Sequence, residues 1–290
     1  MNQMKRSLCA LLSALMLLAM LAGCGKKQET DEPFVLGVSV CGAIDSLDPA
    51  MNTDTDADSI FCALYENLMR MSDDGSGEAV LGNGVAKEYT EETNYDGTVT
   101  YRFTLRSSAR WSDGQKMTAD DFVYAWQRLA DPATASPNHS LMSVVAGYDE
   151  VRETGDKTKL QVSAEDESTF VVTLSAPCAY FIEGICTSVS TMPLRRDLAE
   201  STKFDTVNVV SNGAYCVSGW SKSSELTAAR NEEYYESRLV GPDTLRFVFA
   251  QDSRQAWQLY ENGEIDYIAH LPDEVIEELS QQDGWSARAI

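Results

Sequence analysis

Histidine and positive charge are scarce in this sequence. Only His139 and His270 occur in 290 residues, and neither has a second His or a Cys at metal-ligand spacing. The usual zinc and nickel ligand sets are therefore missing. Lys and Arg number 23 against 45 Asp and Glu, a formal net charge of −22. Phosphate backbones are bound by basic faces, so this balance argues against a nucleic-acid partner. The acidity suits solubility at a crowded surface, and it would also suit cationic ligands. There is no nucleophile elbow, phosphate loop or His-Glu-x-x-His stretch. Asp54, Asp56 and Asp58 alternate like the start of a calcium loop. The Gly required at position six is Ser59, and the Glu required at position twelve is Tyr65. Paired acids such as Asp120-Asp121 and Glu232-Glu233 fit helix starts and surfaces. The expectation is a non-enzyme with no metal and no cofactor.

Long apolar runs are missing too, with one exception. Lys5 and Arg6 precede a nearly unbroken apolar stretch from Leu8 to Ala22. A spanning helix needs roughly 20 such residues, so this run suits a secretory signal. It exits through Leu21-Ala22-Gly23-Cys24, which looks like a bacterial lipobox. In lipoproteins of that kind the Cys becomes the first mature residue and carries acyl chains. Residues 1–24 are thus expected to be a lipoprotein signal peptide, with Cys24 as the lipidation site. That implies an extracytoplasmic protein held on the cell membrane, in a periplasm or at a cell surface. Several acyl chains on one Cys anchor firmly, at about 0.8 kcal/mol per buried methylene. Residues 25–33 are polar without apolar pattern and suit a flexible tether.

The rest of the chain is long enough for one large or two modest domains. Hydrophobic residues at 43% and aromatics at 9% imply a substantial core. Cys9 falls in the signal, and Cys41, Cys62, Cys178, Cys186 and Cys216 remain after Cys24. An exported protein could pair some of them, and Cys178 and Cys186 are near enough for a small loop. Cysteine is equally a small buried hydrophobe, so no bridge is assigned. No internal repeat or long low-complexity linker is present.

Periodicity places the elements. Phe34–Val40 suits a buried strand. Ile60, Phe61, Ala63, Leu64 and Leu68 space out an amphipathic helix over 58–69. Asp73–Gly77 is a turn. Val99, Tyr101, Phe103 and Leu105 alternate with polar residues as a half-buried strand, preceded by a Tyr95-Asp96-Gly97 hairpin turn. After the Trp111–Gly114 turn, Thr118 can cap a helix over 119–130, with Asp121 in a capping-box position. Phe122, Val123, Trp126 and Leu129 fall on its core face, and Asp131-Pro132 ends it. Phe170–Leu174 and Leu245–Phe249 suit strands. A helix over 254–261 and a strand Ile265–Ile268 follow, suggesting a βαβ unit in a mixed sheet.

Five ordered motifs now carry a family resemblance. The run from Trp111 (Trp-Ser-Asp-Gly-Gln-Lys-Met-Thr-Ala-Asp-Asp-Phe-Val-Tyr-Ala-Trp-Gln-Arg) to Arg128 resembles the signature of the oligopeptide- and dipeptide-binding proteins of ABC importers, extracellular solute-binding protein family 5. Ser46-Leu47-Asp48-Pro49 and Asp131–Pro137 are similar to two further family segments. Asn212-Gly213-Ala214-Tyr215 and Asn262-Gly263-Glu264-Ile265-Asp266 match two later ones. The resemblance runs from about residue 34 to the C-terminus.

The resemblance implies an α/β, periplasmic-binding-protein-like fold of type II, the Venus-flytrap kind. This chain would be its N-terminal lobe with an inserted small α+β domain, the second lobe missing. The lobe I sheet domain would comprise 34–65 and 194–275, the inserted domain 66–193, and 276–290 the start of a truncated second lobe. The implied function is capture of peptides for an ABC importer, as a monomer working with permease subunits. Implied ligand contacts are Asn52, Thr53, Asp54 and Thr55 after the Ser-Leu-Asp-Pro motif, and Asn138 after Thr-Ala-Ser-Pro. Asn138 departs from a tyrosine that packs on peptide in oligopeptide binders, and Thr53 stands where relatives can carry an acid. Trp111, Phe122 and Trp126 are expected in the core, with Arg128 ion-paired or bound to backbone at the helix end. A surface lipoprotein with a sensory or adhesive role, or a truncated product without ligand, stays open as the alternative.

Overall fold

The computed structural model describes residues 32–281, apart from 74, 76, 77, 202 and 203. The signal segment and Cys24 lie outside the described residues. In chain order the elements are β1 (Val35–Cys41), α1 (Asp58–Leu64), β2 (Met69–Asp73), β3 (Ala79–Asn83), β4 (Ala86–Thr93), β5 (Val99–Leu105), α2 (Ala119–Ala130), α3 (Tyr148–Thr154), β6 (Val162–Asp166), β7 (Thr169–Leu174), α4 (Arg196–Ala199), β8 (Tyr215–Ser221), β9 (Glu225–Arg230), β10 (Thr244–Ala250), α5 (Ser253–Glu261) and α6 (Asp273–Ser280). No helix among the described residues is long and apolar enough to cross a membrane.

The strands form three sheets, ordered β1-β10-β9-β8, β2-β3 and β4-β5-β7-β6. β1 and β10 are parallel, in register from Val35↔Thr244 to Cys41↔Ala250. The other pairings are antiparallel. β4 and β5 form a hairpin whose turn is stabilised by Asp96, which accepts from the Thr98 amide at 3.0 Å, with Gly97 at φ +88°. That φ is cheap only for glycine.

The signature helix α2 lies on the β4–β7 sheet. Asp121 accepts from the Thr118 amide at 2.8 Å, closing the capping box. Phe122 and Trp126 meet Phe170 of β7 at centroid distances of 5.7 and 5.1 Å, and Phe181 joins Tyr101 at 4.7 Å. Trp111, Phe122 and Trp126 are all essentially inaccessible, as their spacing implied. One contiguous apolar cluster runs from Val40 of β1 through these aromatics to Phe249 of β10.

Two elements differ from the sequence reading. The helix begun at Asp58 stops at Leu64, not Met69. Its end is taken over by tertiary hydrogen bonds. The Gly213 amide donates to Leu64 O at 2.8 Å, and the Asn212 side chain bonds both the amide and the carbonyl of Glu66. The carbonyls of residues 67 and 68 then accept from the amides of residues 84–86. The expected strand Ile265–Ile268 is a single parallel bridge, Val38↔Tyr267. There Asp266 caps the β1 edge by accepting from the Gly37 amide at 2.7 Å. Cys41, Cys62, Cys178, Cys186 and Cys216 all carry free thiols.

Candidate ligand cleft

A groove of about 530 Å³ opens where three segments meet: Asn52–Thr55, the stretch from Asn138 to Leu141, and residues 184–190. The first segment is shaped from below. Asp48 caps a single 3-10 turn, Pro49–Met51, by accepting from the Ala50 amide at 3.1 Å. Its two carboxylate oxygens also take both Arg128 terminal nitrogens, at 2.9 and 2.5 Å. The Asp48 and Arg128 side chains are only 6% and 19% exposed. The family-like Ser-Leu-Asp-Pro motif and the signature helix are thus clamped by one desolvated, bidentate pair. Beyond the turn, Asn52 folds the loop around its own amide. Its Nδ2 donates to Asp54 O at 3.1 Å and to Asp58 Oδ1 at 2.6 Å, and its Oδ1 accepts from the Asp54 amide at 3.3 Å.

The second segment is stitched to the first. Asp131 caps the turn Pro132–Thr134, and Ala135 then takes a left-handed conformation at φ +52°. This redirects the chain so that the buried Ser136 hydroxyl donates to Ala50 O at 2.5 Å and accepts from the Asn138 amide. Asn138 Nδ2 donates to Asn52 O at 2.5 Å, across 86 positions of sequence. The third segment is held by Asn67, whose amide reaches Ser188 O at 2.7 Å and Thr191 Oγ1 at 2.8 Å. The Trp126 indole donates to Thr191 O at 3.0 Å.

Asn52, Thr53, Asp54, Thr55 and Asn138 all line this one groove. The sequence reading missed its far wall, Gly184 and Thr187–Ser190, and also Asp58, Cys62, Ser140 and Leu141. The far wall has no periodic pattern, and its only signal is a run of small hydroxylated residues beside a glycine. Eight of the fourteen residues lining the groove carry a hydroxyl or an amide. Its charged lining groups are Asp54 and Asp58. Burial holds the Asp58 carboxyl above its ordinary range, while the Asn52 amide pulls the other way. Such a surface offers neutral donors and acceptors to a polar, extended ligand, with room for bridging water.

A second cavity of about 310 Å³ adjoins the groove, and Cys62 and Thr187 line both. Its polar end is a closed network. Arg70 donates to Glu66 at 3.3 Å, to Tyr234 Oη at 3.1 Å and to Glu236 at 2.9 Å, and the Tyr234 hydroxyl donates to Glu66. Burial raises the Glu66 carboxyl above its usual range, opposed by Tyr234 and Arg70.

A mixed sheet beside a polar, half-open groove fits the class of solute-binding proteins. Residues 81–287 match the family of bacterial extracellular solute-binding proteins, family 5 (middle region), and the chain belongs to that family. It is 32% identical over 249 residues to the periplasmic oligopeptide-binding protein OppA of Salmonella typhimurium, covering 82% of this chain and 44% of that protein. It is 30% identical over 232 residues to a probable deoxycholate-binding periplasmic protein of Escherichia coli, covering 76% and 41%. Among solved structures, Burkholderia pseudomallei OppA superposes with a TM-score of 0.77 at 32% identity, covering 87% of this chain and 49% of that one. Haemophilus influenzae OppA, in complex with the peptide RPPGFSPFR, gives 0.77 at 29% identity, covering 87% and 49%. The chain spans about half the length of the relatives it matches.

Proposed function

We propose that this chain is the N-terminal lobe of an extracytoplasmic, lipid-anchored binding protein that captures peptides for an ABC importer. The observation that carries this reading is the convergence of Asn52, Thr53, Asp54, Thr55 and Asn138 on one groove, from segments 86 positions apart. The identity to oligopeptide-binding proteins supports it. In this reading the lobe comprises a sheet part, 34–65 and 194–275, and an inserted part, 66–193. An extended peptide lays its backbone along the hydroxyl-lined walls, and closure of a facing lobe buries it. The ligand drives closure only through tighter binding to the closed form. Cys24 carries the acyl anchor, and permease subunits receive the closed form.

Native mass spectrometry of the chain extended by its facing lobe, purified without denaturant, tests the reading. Satellite masses that resolve on denaturation into a mixture of short peptides are the expected result. A single non-peptide adduct of low mass would transfer the assignment to another solute class, as the deoxycholate-binding relative illustrates. A bare mass, even with added peptides, would favour a sensory or adhesive lipoprotein. Acyl chains on Cys24 are checked by the intact mass of protein extracted from membranes.

A further inference from the structure

We propose that the cavity behind Cys62 is a side-chain pocket of the cleft, taking one apolar side chain of aromatic size from a bound peptide. This deepens the peptide-binding reading and rests on it. Continuity is the first ground: Cys62 and Thr187 line both spaces, so the side chain of a residue lying in the groove beside them is within reach of the cavity. The second ground is the contrast in lining. Eight of the groove's fourteen lining residues carry a hydroxyl or an amide, whereas the cavity presents Met69, Met71, Met192, Tyr65 and Ala214. Three thioethers make a wall that adapts to differing apolar shapes.

Charge balance is the third ground. Arg70 is the one cation in this lining, and it is engaged by Glu66, Tyr234 and Glu236 together. A carboxylate on the ligand would have to displace one of those partners, and an ammonium would compete with Arg70 for the acids. A neutral side chain disturbs neither and gains by leaving water. Size is the fourth ground. A cavity of roughly 150 Å³ suffices for a benzene ring, and this one holds about 310 Å³.

The test is isothermal titration of the chain extended by its facing lobe with tetra-alanine and with tetra-alanine carrying Phe, Lys or Glu at each position in turn. One Phe peptide is expected to bind at least about tenfold tighter than tetra-alanine, with no gain from Lys or Glu at that position. Met71→Glu places a charge at the exposed side of the cavity, and Ala214→Leu fills it. Each is expected to abolish the Phe gain while leaving tetra-alanine binding within about twofold. Circular dichroism confirms that the variants fold, and Met71 is 43% exposed, so its replacement strains no core. Tetra-alanine binding without a Phe gain at any position overturns the pocket and leaves the peptide reading standing. A Phe gain that survives both substitutions places the specificity elsewhere and also overturns it. Failure of every peptide to bind overturns both the pocket and the reading beneath it.

Discussion

Asp121 accepts hydrogen bonds from the Trp111 indole at 3.1 Å and from the Thr118 amide at 2.8 Å while only 8% exposed. Burial pushes its pKa up to about 6, against those donors and the nearby Arg195 guanidinium. The sign of the pH dependence follows. Below the ordinary carboxylate range the group is protonated in both states. As pH rises, the unfolded chain ionises first, while the folded chain still holds its proton, so stability falls until the folded group also ionises. Asp121→Asn keeps an acceptor for the indole and removes the titration. The variant's stability relative to the parent should therefore rise between about pH 4 and pH 7 by roughly 3 kcal/mol. Urea unfolding at each pH measures it, and parallel curves for the two proteins would refute the assignment.

At the scale of elements, α2 is both a core helix and the strut of the cleft. Its aromatic face is buried against Phe170 of β7 and Phe181, and its last turn sends Arg128 across to Asp48. Arg128→Met leaves the Asp48 carboxylate buried and without its cation. Breaking one side of such a pair costs about 3–5 kcal/mol. The loss should be concentrated in the groove, because Asp48 shapes the turn that leads into Asn52. Amide exchange over residues 50–58 should accelerate more than exchange in β5 and β7. The double variant with Asp48→Asn should recover part of the stability, since it removes the orphaned charge. Uniform loss of protection would mean that the pair supports the core alone.

The whole molecule depends on one close approach between distant parts of the chain. A Cβ at Gly213 would lie 2.6 Å from the Leu64 carbonyl carbon and 2.6 Å from the Tyr65 nitrogen. Those atoms are backbone and cannot swing aside. Gly213→Ala must therefore separate the approach to β8 from the end of α1, disturbing the Asn212 bonds to Glu66 as well. A loss of about 2–4 kcal/mol is expected, typical of overpacking with a broken buried network. The urea midpoint should fall with the denaturant slope unchanged. A midpoint within experimental error of the parent would show that the contact relaxes freely.

Once these dependencies are laid out, the division between sequence and tertiary structure is clear. Local chemistry determined the parts with short-range signals. Alternation specified β5, the Thr118–Asp121 box and Pro132 bounded α2 at both ends, and the aromatic stripe identified its buried face. Ordered motifs determined the family and pointed to Asn52–Thr55 and Asn138 as cleft residues. Only the tertiary structure decided where α1 ends, because the competing partners of Leu64 and Glu66 lie at 212–213. The far wall of the groove belongs to it too, since residues 184–190 owe their place to Asn67 and Trp126 rather than to any periodicity of their own. The same holds for the partner of Arg128 and for the cavity behind Cys62. Each depends on which remote groups share a small volume, and spacing along a chain carries that information only within a single element.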